Sequence, residues 1–594
     1  MKIEGKREGT ITRRSFVSAA IAVGATAIGA SSALTGCAPR SAAAEASDAN
    51  AATDPGSADA SGRSWLGAEP EIADADVAEE LSADVVIIGC SDSGAIAARA
   101  AVEAGASVIV IEKAAGVTGC GSDISVANGD LQARYGRDGA VGVDELVQTH
   151  QAECMYHSKE PIMRRYCEEM KDVFAWILEA DPDLYIADTV FDDIPDEYAK
   201  NFLIPKHFPL PDESYDFRSE AMPTFPTTVK IPPLSTVLAC NFDKASAEGN
   251  VTSRFGHAGA KLIMEDGRCT GAYALNLSTG TYLKANAAKG VILCTGDYKD
   301  DEAMLQAFAP EVVENGNTVL STIADVNGEK CCTGDGHKMG VWAGARMQAH
   351  HAPMIHHMGG GAGADGRGVM GINGYLQLDL DGKRFMNEDI PGQQLENQIE
   401  HLRGMTSYQF FDSAWPEQCK YFPTAHGIVS YCLETEPLNH PTNTNWRTLK
   451  DIEDAVADGR ALRADSLDEL IAMVEDIDRE AALASIERYN ELARSGVDSD
   501  FGKDARRLFA LENPPYYAVK FTPASILACL GGLESDENCH TFDENRAIIP
   551  GLYAAGNVQG DRFAGQYPIS MAGCSVGLAL FYGYVAGSNA AVGA

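Results

Sequence analysis

Between Ala83 and Glu112 the hydrophobic positions change pattern twice. Ala83-Asp84-Val85-Val86-Ile87-Ile88-Gly89 is a short apolar run closed by glycine, which predicts a buried strand. From Ala95 to Ala104 the spacing is helical, and Gly105 ends it. Ser107 to Ile111 is apolar again and stops at Glu112. This predicts a βαβ unit. Two later runs read as strands: Gly290 to Cys294, entering Thr295-Gly296-Asp297, and Ile549 to Ala555, entering Gly556-Asn557. A helical run follows from about Ala572 to Ala590.

The rest of the chain is patterned differently. Residues 251–289 predict a β-meander, with turns at Glu265-Asp266-Gly267 and Ser278-Thr279-Gly280. Residues 451–495 interleave charges with Ile, Ala and Leu and predict solvated helices. Residues 181–233 are acidic, aromatic and proline-containing, and read as a long insertion. At the start, Thr12-Arg13-Arg14-Ser15-Phe16-Val17 precedes a mild apolar stretch to Leu34. This resembles a twin-arginine export signal. Leu34-Thr35-Gly36-Cys37 resembles a bacterial lipoprotein processing box, with Cys37 as the lipid-bearing residue. Residues 1–37 are thus expected to be a signal and 38–82 a flexible tether. No later segment has roughly 18 consecutive apolar residues, so the body is not expected to span a membrane.

Composition narrows the function. The chain has 594 residues, 47 Lys+Arg and 85 Asp+Glu, giving a formal net charge of -38. So acidic a surface repels phosphate backbones and argues against nucleic acid as a partner. Glycine is abundant, at 58 residues, as suits a backbone that must approach a ligand closely. The 15 cysteines include no CxxC pair, which weakens zinc-ribbon, ferredoxin-like and attached-haem readings.

The βαβ unit carries the first chemistry. Gly89 provides a tight turn, Gly94 allows close helix packing, and the amides of Ser91 and Ser93 at the helix start can face a pyrophosphate. Glu112 is placed to accept from ribose hydroxyls, with Lys113 beside it. The middle glycine of G-x-G-x-x-G is replaced by Ser91. The loop Thr118-Gly119-Cys120-Gly121-Ser122 is small enough to wrap a ribityl chain.

These segments, with Thr295-Gly296, Thr333-Gly334-Asp335-Gly336, Lys383-Arg384-Phe385-Met386-Asn387-Glu388 and Gly556-Asn557, resemble the fumarate reductase/succinate dehydrogenase flavoprotein family from about residue 83 to 594. The resemblance implies an α/β fold: a Rossmann-like FAD-binding domain in two pieces, 83–350 and 524–594, with an inserted α+β cap at 351–523. It implies FAD contacts from Asp335 and from the last helix, whose first amides, between Met571 and Ser575 and including Cys574, would face the flavin. Members that bind FAD covalently use a histidine in the loop after the acidic residue; residues 116–130 have none, so FAD is expected to be non-covalent.

In soluble fumarate reductases a cap arginine protonates the substrate carbon. Counting from Arg384 places that position at Gly392; the relay positions fall on Gly368 and Gly371, and a substrate-binding histidine on Ala528. A dicarboxylate needs cationic, fork-shaped partners, so fumarate is disfavoured. Gln566-Tyr567-Pro568-Ile569-Ser570-Met571 resembles the Tyr-Pro segment of 3-ketosteroid Δ1-dehydrogenases. That resemblance makes Tyr567, with the Met571 amide, the candidate to polarise a carbonyl oxygen. Arg562, six residues after Gly556, is the candidate cation, for a substrate oxygen or for the flavin edge. His356 and His357, in a cluster with His350 and His351, are candidates for a proton relay; no neighbouring Cys or carboxylate pair completes a metal site, so none is expected. Tyr375 and Tyr408 are weaker candidates, and Cys331, Cys332 and Cys529 read as buried thiols.

The expected protein is an exported, lipid-anchored FAD reductase that adds hydride and a proton to an activated C=C bond of a small, non-dicarboxylate organic acceptor. With no second dinucleotide unit, haem motif or iron–sulfur spacing, its electrons are expected from a separate cytochrome or FMN protein. The alternatives are a ketosteroid-type dehydrogenase, reductive benzyl-ether cleavage, and a small-molecule-binding lipoprotein that is no enzyme.

Overall fold

A computed structural model describes residues 63–593, apart from 137–140, 189–191, 193, 207–215, 221, 223, 321–322, 357, 363–367, 424–426 and 434–445, and for His356 the backbone alone. The expected signal, Cys37 and most of the expected tether therefore lie outside the described residues. The tether does not extend to residue 82. Trp65 and Leu66 are buried, Trp65 against Phe308, and the first strand already begins at Val77.

That strand, β1 (Val77–Ile88), leads through a tight turn to α1 (Asp92–Glu103) and β2 (Val108–Glu112). β1 lies between β2 and a later strand, with Ile87 opposite Val110 on one side and Ile292 on the other. Neighbours on both edges and layers on both faces explain why Val85 to Ile88 are all apolar. The sheet has eight strands. Beyond β2 comes β6 (Val251–Phe255); β7 (His257–Glu265) and β8 (Arg268–Asn276) form the meander that turns into β9 (Tyr282–Leu293). Asp266 and Gly267 both have positive φ, as a two-residue hairpin requires.

A smaller sheet joins β3 (Asp123–Ser125), β4 (Phe202–Pro205) and β5 (Thr228–Lys230), with β5 in the middle and antiparallel to both. Next in the chain are β10 (Ala352–His356) and, beyond the cap, β11 (Ser525–Leu530), paired antiparallel. β12 (His540–Phe542) and β13 (Ile548–Ala554) complete the large sheet, β13 running parallel to β9.

Between β10 and β11 the chain builds a sheet from Leu376–Asp379, Ser407–Asp412, Tyr516–Phe521 and Leu462–Ala464, with helices that include α2 (Gly392–Ile399). Its Arg384 pairs with Glu388 at 2.7 Å and Asp498 at 2.8 Å, so the Arg384-to-Glu388 segment holds the cap together. The chain closes with α3 (Cys574–Val592), apolar on nearly every face. Two glycines let α3 approach α1: a Cβ at Gly583 would lie 2.4 Å from Ser93 O, and one at Gly587 2.3 Å from Ala97 O. Among the described residues no helix is long and apolar enough to cross a membrane.

Candidate functional site

The turn after β1 is as narrow as its glycines imply. Gly89 has φ +100°, and a Cβ there would meet Cys294 O at 2.2 Å; a Cβ at Gly94 would meet Gly89 O at 1.9 Å. Ser91 caps α1, so the amides of Asp92 and Ser93 open toward the cavity. Glu112 does more than wait for a ribose. Its Oε2 accepts from Cys90 N–H at 2.6 Å and its Oε1 from Ala114 N–H at 2.7 Å, which locks both ends of the turn. Lys113 Nζ pairs with Asp335 Oδ2 at 2.8 Å and donates to Thr333 Oγ1 at 3.1 Å.

Two adjoining cavities run from here. The smaller, about 60 Å³, is lined by Gly89, Glu112, Lys113, His257, Thr295 and Asp335. The larger, about 330 Å³, is lined among others by Gly121, Ser122, Asn557, Tyr567, Ala572 and Ser575. Ser91, Cys294, Gly296 and Cys332 line both. The walls fit a dinucleotide. Thr295 Oγ1 is buried without a hydrogen-bond partner in the smaller cavity, and Gly296 and Gly556 have positive φ where the chain skirts the space. Asp92, at the start of α1, opposes a pyrophosphate. Burial pushes its carboxyl up to about 7, so the protonated form persists to near neutral pH, and its Oδ1 accepts from Cys120 N–H at 3.1 Å.

The far end of the larger cavity holds Tyr567. Ser575 N–H donates to its hydroxyl at 3.3 Å, at the first turn of α3. The Tyr567 amide donates to Gln393 Oε1 at 3.2 Å, and Gln393 Nε2 donates to Pro353 O at 3.0 Å. The cap helix α2 thus fixes Tyr567 in place through the residue next to Gly392. Burial raises the phenol well above its ordinary pKa. The Met571 amide, expected to join Tyr567 in polarising a carbonyl oxygen, is already engaged: it donates to Pro568 O at 3.0 Å. Cys574 begins α3 as a buried thiol.

Arg562 is buried and stands behind the cavity wall. Its Nη2 donates to Asn557 Oδ1 at 2.8 Å, and Asn557 Nδ2 reaches Asp297 Oδ2 at 3.4 Å. Burial lowers its pKa to about 10, and its Nη1 has no hydrogen-bond partner. It positions Asn557, which does line the cavity.

The histidines are dispersed. His350 is exposed with its ring 3.9 Å from that of His157. His351 is buried, bonded to Tyr298 Oη at 2.6 Å and stacked on Phe308, and burial lowers its pKa to about 3. His356 is described only as the end of β10, and His357 lies outside the described residues. No group of metal-ligating side chains occurs among the described residues. Tyr375 and Tyr408 are buried within the cap, away from the cavity lining. The described cysteines are all free thiols.

Three charged residues missed in the sequence line the same cavity: Asp123, Lys206 and Lys230. Lys206 Nζ pairs with Asp123 Oδ2, and Lys230 Nζ lies 3.8 Å from Asp123 Oδ1. The readable signal was a lysine closing an apolar run twice, in Phe202-Leu203-Ile204-Pro205-Lys206 and Thr228-Val229-Lys230.

Comparison with known proteins agrees with this geometry. The sequence profile of the FAD binding domain family matches residues 84–576. The NADH:acrylate oxidoreductase of Vibrio harveyi is 26% identical over 335 residues, which is 55% of this chain and 29% of that protein. The digoxin reductase of Eggerthella lenta is 24% identical, across 98% of this chain and 96% of that one. Against several other relatives the chain spans about half their length. A 3-ketosteroid-Δ4-(5α)-dehydrogenase from Rhodococcus jostii RHA1, solved with 4-androstene-3,17-dione, superposes with TM-score 0.62 at 20% identity, covering 88% of this chain and 100% of that one.

Proposed function

We propose, from the premise that this chain belongs to the FAD binding domain family and is an FAD-dependent oxidoreductase of the kind that acts on C=C bonds, that it works as a reductase. Its acceptor is a small organic molecule with an activated C=C bond that is not a dicarboxylate. The observation that carries this reading is the Tyr567 hydroxyl, held at the first turn of α3 by the Ser575 amide and facing the cavity that continues to the dinucleotide turn.

FAD, when bound, supplies the hydride. Gly89, Ser91, Ser93, Gly94, Glu112 and Lys113 would hold its nucleotide end, and Gly121, Ser122 and Ser575 its flavin end. Everything else falls to the chain's own side chains. The Ser575 amide occupies one lone pair of the Tyr567 oxygen, which leaves the phenolic hydrogen free to point at the acceptor. Burial keeps that hydrogen in place at any working pH, so Tyr567 stabilises negative charge developing on a carbonyl oxygen through a hydrogen bond. Gln393 of α2 holds the Tyr567 backbone in place. The position where a family arginine would sit is Gly392, at the start of α2, and Arg384 is committed to Glu388 and Asp498. This supports an acceptor that does not need a two-cation clamp.

The names of the relatives support reduction, since acrylate, digoxin and urocanate reductases are among them. The oxidative alternative rests on the 3-oxosteroid 1-dehydrogenases, also among them. Electrons are taken to come from a separate cytochrome or FMN protein. Export by the twin-arginine route and anchoring through Cys37 belong to the same proposal, on the N-terminal residues alone. The test is Tyr567→Phe in a flavin-loaded enzyme: acceptor-driven reoxidation should slow while the flavin stays bound. Unchanged reoxidation would remove Tyr567 from the reaction.

A further inference from the structure

One extra residue in β11 turns two neighbouring side chains toward the larger cavity. β10 and β11 pair antiparallel, with Pro353 opposite Cys529 and Ile355 opposite Ile526. Two steps along β10 thus match three along β11, so Leu527 and Ala528 together face Met354. This is a β-bulge, in which two residues oppose one and a side chain is re-aimed. In a regular strand Leu527 and Ala528 would point to opposite faces. Here both line the cavity, as does Met354. The residues on either side of the pair take the other face. Ile526 and Cys529 are fully buried in the core that also holds Ile355 and Leu533.

The bulge lies beside Tyr567, and one side chain joins the two. Gln393 Nε2 donates to the carbonyl of Pro353, the residue before Met354, at 3.0 Å. Its Oε1 accepts from the Tyr567 amide at 3.2 Å. The apolar surface continues on both sides of this link. Ile569, just beyond Tyr567 in the chain, and Met358, just beyond β10, line the same cavity. Met354, Met358, Leu527, Ala528 and Ile569 therefore give the cavity an apolar wall next to the phenol. Two of the five are methionines, whose unbranched side chains adapt to an irregular shape.

We propose that the bulge pair Leu527 and Ala528, with Met354, determines acceptor specificity by forming an apolar wall for a ring carried on the reacting C=C bond. This rests on the reading of the cavity as the acceptor site and deepens it. The acceptor is then an α,β-unsaturated carbonyl compound that bears an aromatic or alicyclic ring, with its carbonyl oxygen at the Tyr567 hydroxyl. Apolar burial favours such a ring over a methyl group in proportion to the surface removed from water. A polar body in the same place would leave its hydrogen bonds to water and receive none from these side chains. The bulge doubles the contact, because it supplies two adjacent side chains where a regular strand supplies one.

The test uses oxidised, FAD-loaded full-length protein and needs no turnover. Benzylideneacetone and ethylideneacetone share one enone and differ in a phenyl against a methyl group. Each is titrated separately, and the shift of the flavin absorption band gives its dissociation constant. Wild type should bind the phenyl compound about 10- to 100-fold more tightly than the methyl one. Leu527→Asn and Ala528→Asn should each lower that ratio by about threefold or more. Ile526→Val, on the other face, should leave it unchanged. If an asparagine variant purifies without flavin, Leu527→Ala or Ala528→Ser takes its place. A ratio near one in wild type, including no response to either compound, would overturn the proposal. So would a ratio that responds at only one of the two bulge positions, as a regular strand would give. Variants that weaken FAD binding but keep the ratio would also overturn it, since the wall would then serve the flavin. If the ratio and its variants behave as expected while neither enone reoxidises the reduced enzyme, the reductase reading fails and the apolar wall stands.

Discussion

The Ser575 amide donates to the Tyr567 hydroxyl at 3.3 Å, which joins the N-terminus of the buried last helix to the one phenol that the described residues place on the cavity wall. The helix end stabilises negative charge on that oxygen, and burial opposes its formation. Tyr567 consequently stays protonated and serves as a donor. Tyr567→Phe should lower the rate of acceptor reduction about 10²- to 10³-fold, the usual effect of removing one donor to a developing oxyanion. FAD content and acceptor KM should change little. Stopped-flow reoxidation of the reduced variant checks this.

Asp92 ties flavin affinity to pH. Burial raises its carboxyl to about 7 from an unfolded value near 4. Between those values the folded chain holds a proton that the unfolded chain has released, so stability falls as pH rises through this window. The ionised carboxylate also opposes a pyrophosphate at the start of α1, so FAD affinity should weaken as pH climbs past about 7. Asp92→Asn should flatten both dependences. Fluorescence titration with FAD and thermal unfolding from pH 5 to 9 measure them.

Gly94 should tolerate no side chain. A Cβ there would lie 1.9 Å from Gly89 O, and Gly89 is itself held by its amide donating to Ile111 O at 2.7 Å. Gly94→Ala should destabilise the protein by about 2–4 kcal/mol. It should purify with little or no flavin colour, as absorbance and calorimetry would show.

The cap depends on an ion-pair group that is closed to solvent. Glu388 and Asp498 both have fully buried side chains, and both are held by Arg384. Arg384→Met leaves two buried carboxylates short of a partner and should cost about 3–5 kcal/mol. The flavin spectrum should be preserved, because the group lies away from the cavity lining. Denaturant unfolding followed by far-UV and flavin signals separates the two effects.

The dinucleotide turn was legible because each requirement there is local. Gly89, Gly94 and Glu112 answer to backbone sterics and strand ends within one βαβ unit. The last helix was legible for the same reason, its apolar run marking a buried element before any contact was known. The acceptor end was much less so. Residues 181–233 read only as a long insertion, yet they deliver Lys206 and Lys230 to the cavity through strand pairing with the Asp123 segment, far away in sequence. Arg562 read as a cation for a substrate oxygen or the flavin edge because only its proximity to Gly556 was visible; its direction, toward Asn557 and behind the cavity wall, depends on packing. The Met571 amide was misjudged because the short turn at Ile569–Met571 uses it internally.

The most direct test is anaerobic. Flavin-loaded enzyme is reduced chemically and mixed in separate cells with 3-phenylpropenoate, a neutral steroid enone and fumarate, while the oxidised flavin band is followed. The expected result is return of that band with the unsaturated monocarboxylate or the enone, and little or none with fumarate. The account is contradicted if none of these restores the band while a saturated ketosteroid bleaches the oxidised enzyme, because the protein would then remove hydrogen where it is held here to add it.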